Sequence, residues 1–150
     1  METGTELGPD ALDFWIGDWT VSWPGGTGSN RIHRILDGKV VEEVFECHEP
    51  DGSLHGRSVS VLDAADGRWK QTWVDSSGAY LDFVGVVADG RISFQRSASD
   101  DHNVLQRMVW LDVRADSLRW EWQRSTDEGA SWLVSWALTY ERVGSHAAGE

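Results

Sequence analysis

The chain has 150 residues, with 13 Lys and Arg against 25 Asp and Glu, for a formal net charge of −12. That length suits one domain spanning 1–150 with its own core, and 40% hydrophobic with 25% charged residues marks a globular rather than a disordered chain. The acidity and the lack of a basic stripe argue against nucleic acid and anionic membranes as partners, no apolar run nears the roughly 20 residues of a spanning helix, and a single cysteine, Cys47, excludes an internal disulfide or a zinc ribbon.

The start, Met1 to Asp10, is polar and acidic. It lacks the basic and apolar regions of a signal peptide, so a cytoplasmic location is expected. Residues 1–12 and 144–150 are expected to be flexible. Between Pro9 and Trp15 a short helical turn is expected, with Leu12, Phe14 and Trp15 plugging a barrel end.

From there the pattern is that of strands, with no helical periodicity sustained over three turns. Ten strands are expected, at about 17–23, 29–36, 39–48, 55–63, 67–75, 79–87, 90–97, 103–114, 117–125 and 131–142. Short turns punctuate them: Pro24 to Gly28, Asp37-Gly38, Pro50-Asp51-Gly52, Asp66-Gly67, Ser77-Gly78, Asp89-Gly90 and Asp127-Glu128-Gly129. Short connections make neighbouring strands antiparallel. A sheet this long protects its edges by closing, so the fold class is all-β, a single antiparallel up-and-down barrel of about ten strands.

Alternation then assigns the faces. In the fifth strand Trp69, Gln71, Trp73 and Asp75 share one face, and the aromatic side is expected inside. In the last strand Trp132, Val134, Trp136, Leu138 and Tyr140 read as core. The eighth and ninth strands carry apolar residues on both faces, which leaves their inner faces open. The ten tryptophans supply bulky core fillers, and two or three of them could equally line a cavity.

The segment Asp13-Phe14-Trp15-Ile16-Gly17-Asp18-Trp19 places Gly-x-Trp at the start of the first strand. This resembles the opening motif of the calycin superfamily, which includes lipocalins, fatty-acid-binding proteins and nitrobindins. Three further segments, Asn30 to Gly38, Asp66 to Asp75 and Ser125 to Trp132, are similar to a bacterial family of calycin-like proteins to which no settled activity attaches. The resemblance implies a calycin-like barrel in which Gly17 and Trp19 are structural. It also implies that Trp19 packs at the closed end beside an arginine from a late strand, for which Arg142 is the candidate through cation–π stacking. The helical lid of fatty-acid-binding proteins has no room here, because only residues 24–28 or so separate the first two strands.

Three functions are weighed on this frame. The first is binding of a small hydrophobic or aromatic molecule inside the barrel, with Trp73 and Trp122 as walls, Gln71, Ser58 and Ser60 as polar contacts, and Arg107 if its face points inward. The second is a cofactor-free isomerase, cyclase or hydratase acting on a hydrophobic substrate in the same cavity. Asp75 is then the catalytic carboxylate, ahead of Asp82 and Glu43; its competing reading is a turn cap beside Ser76-Ser77-Gly78. The third is nitrobindin-like haem binding, which requires a suitably placed histidine among His33, His48, His55, His102 and His146. None matches a proximal-ligand motif, and His48 and His55 alone fall short of a four-ligand zinc site, so no cofactor and no metal are expected. The expected partner is the small molecule, with the chain a monomer or homodimer.

Overall fold

Turns bearing Gly and Asp cut the chain into ten strands, each antiparallel to the next. In the computed structural model, which describes residues 8–48 and 54–144, these are β1 Gly17–Trp23, β2 Gly26–Ile35, β3 Val40–Cys47, β4 His55–Leu62, β5 Trp69–Asp75, β6 Tyr80–Ala88, β7 Arg91–Ser97, β8 Leu105–Leu111, β9 Ser117–Ser125 and β10 Leu133–Arg142. β1 pairs with β10, through Trp19 opposite Arg142 and Val21 opposite Tyr140, and this closes an up-and-down barrel. Several ends differ from expectation by two or three residues, the C-terminal end of β8 at Leu111 among them, and two of the differences have a local reason. β2 begins at Gly26, because Pro24 and Gly25 suffice for the first turn. β8 starts only at Leu105, because Asn103 and Val104 donate their backbone N–H groups to Asp101 and form a turn.

The N-terminal segment closes one end. Asp13–Trp15 form a single 3₁₀ turn. Its Trp15 is fully buried and packs edge-on to Trp110 at 5.1 Å, with Phe14 meeting the same ring at 5.5 Å. From Gly8 onward this segment packs against the barrel. Leu12 is fully buried, and the Gly8 carbonyl accepts hydrogen bonds from Ala11 N–H and Trp69 Nε1. A buried aromatic cluster and these bonds outweigh the entropy of a loose end.

Arg142 fastens the plug to the barrel. Its guanidinium lies 4.1 Å from the Trp19 ring centroid and donates to the carbonyls of Ile16, Phe14 and Ala115. Trp19 is itself fully buried and donates its Nε1 to the Trp15 carbonyl at 2.9 Å. Gly17 makes this approach possible. Its φ is +141°, and a Cβ there would stand 2.2 Å from Arg142 Nη1.

One expected face is corrected. On β10 Trp136, Leu138 and Tyr140 point inward, whereas Val134 is exposed. The register on β9 shifts between Val134, opposite Gln123, and Trp136, opposite Trp122. Ser135 is therefore the extra residue of a β-bulge, and the bulge turns Val134 to the outer face. Among the described residues no helix is long and apolar enough to cross a membrane.

Candidate functional site

Opposite the plug, the barrel encloses a cavity of about 200 Å³. Aromatic side chains from five strands form its walls, chiefly Phe45, Trp73, Phe83, Trp120, Trp122 and Trp136. They meet edge-on rather than stacked: Phe83 and Trp122 lie 5.8 Å apart, Trp120 and Trp136 6.0 Å.

Three polar residues interrupt this lining, Glu43, Tyr140 and, at the end of β5, Asp75. Glu43 stands on the inner face of β3 between Val41 and Phe45, opposite Ser58 of β4. Its Oε1 accepts from Ser58 Oγ at 2.8 Å and its Oε2 from Asn30 Nδ2 at 2.7 Å. The same amide nitrogen donates to Tyr140 Oη at 2.8 Å. Asn30 thus holds the carboxyl and the phenol side by side. Burial drives the Glu43 carboxyl above its usual range, and the bonds from Asn30 and Ser58 offset only part of that. Burial also lifts the Tyr140 phenol, and the neighbouring Glu43 carboxyl lifts it further.

Against known proteins, the chain matches no family model and no curated protein. The site must therefore be read from its own residues.

Trp73 and Trp122 line the cavity as expected. Asp75 reaches it too, but its oxygens are engaged. Oδ2 accepts from Trp73 Nε1 at 2.8 Å, while Oδ1 accepts from Ser77 N, Ser77 Oγ and Ala79 N. Partial burial opposes its charge, but these bonds prevail and the carboxyl titrates below its usual range. Asp75 is thus a turn cap that also aims Trp73, a poor proton acceptor for a ligand. Ser58 supports Glu43 from behind. Gln71 and Ser60 are buried and bond each other at 2.9 Å, away from the cavity lining.

Arg107 lies on the opposite face from Met108, which lines the cavity, and so points outward. There it stacks on Trp132 at 4.0 Å and donates to Gln123 Oε1 at 2.6 Å. Gln123 donates onward to Glu121, which also takes Arg119. This outer network removes Arg107 from the ligand contacts, and Trp132 from the core.

Haem does not fit. His33, His48, His55 and His102 are all exposed and none lines the cavity; His146 lies outside the described residues, as does part of the connection between His48 and His55. Among the described residues no group of three or more His, Cys, Asp or Glu is arranged to hold a metal ion.

Gly56 shapes the cavity wall without appearing in it. The Trp73 indole lies over its backbone, and a Cβ on Gly56 would stand 2.1 Å from Trp73 Cη2. Gly56→Ala should therefore push the indole aside and cost about 1–3 kcal/mol of stability, the usual penalty for overpacking. Urea denaturation measures it; an unchanged midpoint would mean that Trp73 is free to move.

Proposed function

We propose that the barrel binds a small hydrophobic or aromatic molecule in its interior. The observation carrying this reading is the cavity of about 200 Å³ walled by aromatic rings. An apolar cavity of about 150 Å³ is enough to hold benzene, so this one suits a ligand of one or two rings. The stacking of Arg142 on Trp19 at the plugged end supports a calycin-like relationship, and a chain of net charge −12 suits a cytoplasmic carrier of neutral ligands better than a nucleic-acid or membrane partner.

Titration with naphthalene tests the proposal. Tryptophan fluorescence should change saturably, since Trp73, Trp120, Trp122 and Trp136 all line the cavity, and the melting temperature should rise with ligand concentration. No fluorescence change and no thermal shift up to the solubility limit would refute it.

A second reading, a cofactor-free isomerase, cyclase or hydratase on a hydrophobic substrate, draws support from Glu43. It is a buried carboxyl on the cavity wall with a raised pKa, the property a general acid needs near neutrality. In this reading the acid–base role passes from Asp75 to Glu43.

A further inference from the structure

Glu43 and Tyr140 share an arrangement that narrows the ligand class. The two hydrogens of Asn30 Nδ2 are both committed, one to Glu43 Oε2 and one to Tyr140 Oη. The phenol oxygen therefore acts as an acceptor toward Asn30, and among the described residues its own proton has no acceptor. On Glu43, both oxygens already accept, one from Asn30 and one from Ser58. No cation of the described residues pairs with the carboxyl: Asn30, Ser58 and Tyr140, its neighbours from β2, β4 and β10, are all neutral. A buried carboxylate without a counter-charge is costly, so the neutral acid is the favoured form, and it too has an O–H to give.

We propose that Glu43 and Tyr140 form a pair of O–H donors on the cavity wall that takes the carbonyl oxygen of an aromatic ketone or similar conjugated carbonyl compound. This rests on the reading that the cavity binds a small apolar ligand. A carbonyl oxygen has two lone pairs and accepts two donors at once. A hydrocarbon of the same shape leaves both donors unsatisfied, and an ammonium group offers only more donors. The surrounding rings lower the local dielectric, which strengthens both bonds. For a substrate that enolises, the same pair would stabilise the negative oxygen that develops.

Three ligands on one skeleton provide the test: tetralin, 1-tetralone and 1-aminotetralin, the last as its ammonium form at neutral pH. The wild-type protein should bind 1-tetralone about tenfold or more tighter than tetralin, from two hydrogen bonds in a dry site. Tyr140→Phe should shrink that preference severalfold, read as the ratio of the 1-tetralone and tetralin affinities within the variant. The infrared carbonyl stretch of bound 1-tetralone should fall relative to its value in an apolar solvent, a readout independent of how well any variant folds. Equal affinity for 1-tetralone and tetralin would overturn the donor pair and leave the cavity standing. Preferred binding of 1-aminotetralin would make Glu43 a carboxylate and also overturn the proposal. If none of the three binds, the ligand-binding reading falls with it.

Discussion

Replacing Glu43 by Gln should stabilise the folded protein at pH 8 and do progressively less as the pH is lowered. The physical cause is the carboxyl's position against aromatic walls, where burial holds its folded-state pKa above the ordinary 4.5. Below that value the acid is protonated in both the folded and the unfolded chain, and its ionisation contributes nothing to stability. Above it the unfolded chain releases the proton first, so stability drains away with rising pH until the folded carboxyl ionises too. Each unit by which the folded pKa exceeds the unfolded one amounts to about 1.4 kcal/mol. Gln does not titrate and keeps an oxygen for Asn30 or Ser58, so the stability difference between variant and wild type should open as the pH climbs past about 4.5. Urea denaturation across pH 4 to 9 measures it. A difference that is flat with pH would show that folding leaves the Glu43 pKa unshifted, and one that grows toward acid would show that the carboxylate is ionised and stabilised in the folded protein; either overturns the prediction.

The largest loss is expected at the plugged end. Trp19→Ala removes a fully buried indole that stacks under Arg142, meets Tyr140 edge-on at 5.6 Å and bonds the Trp15 carbonyl. Core Trp→Ala substitutions cost about 3–5 kcal/mol, a large share of the stability of a domain this size. Arg142→Ala should cost less, because Trp19 keeps its burial, and the two losses should not add, since the residues touch. Denaturant midpoints of the two single variants and the double variant test this. Full additivity would mean that the stacked pair does not couple the plug to the barrel.

The strands were legible because their signals are local. Asp-Gly and Ser-Gly pairs mark the turns, and the intervening runs alternate, so most of the ten strands begin and end within a few residues of the expected positions. The face of a strand was harder to read where alternation breaks or carries no contrast. The bulge at Ser135 has no composition signal, and it reversed Val134. In β8, Met108 and Trp110 face inward, yet Val109 and Leu111 look equally apolar in sequence, so Arg107 could not be placed.

Of the polar cluster, Glu43 and Ser58 were named from the sequence, but their grouping with Asn30 and Tyr140 was hidden for another reason. Asn30 and Tyr140 are 110 positions apart and meet only because β1 pairs with both β2 and β10. One signal was present. Glu42 and Glu43 are adjacent within a strand, and adjacent side chains take opposite faces, so one of the two had to enter the barrel. Asp75 drew attention instead because it sits in line with Trp69, Gln71 and Trp73, although Ser77 and Ala79 were already close enough in sequence to claim it.

The bulge at Ser135 also bears on how roomy the hollow is. With uninterrupted alternation, Val134 and Trp132 would follow Trp136 into the interior and crowd the unplugged end. Stepping out of line sends Val134 to the outer surface, and leaves Trp132 to serve as a strap over Arg107 on the outside wall. A single irregular residue thus vacates the space of an indole while strand number and pairing stay as they are. Barrels built this way can change what they accommodate by gaining or losing one kink, without rebuilding the sheet.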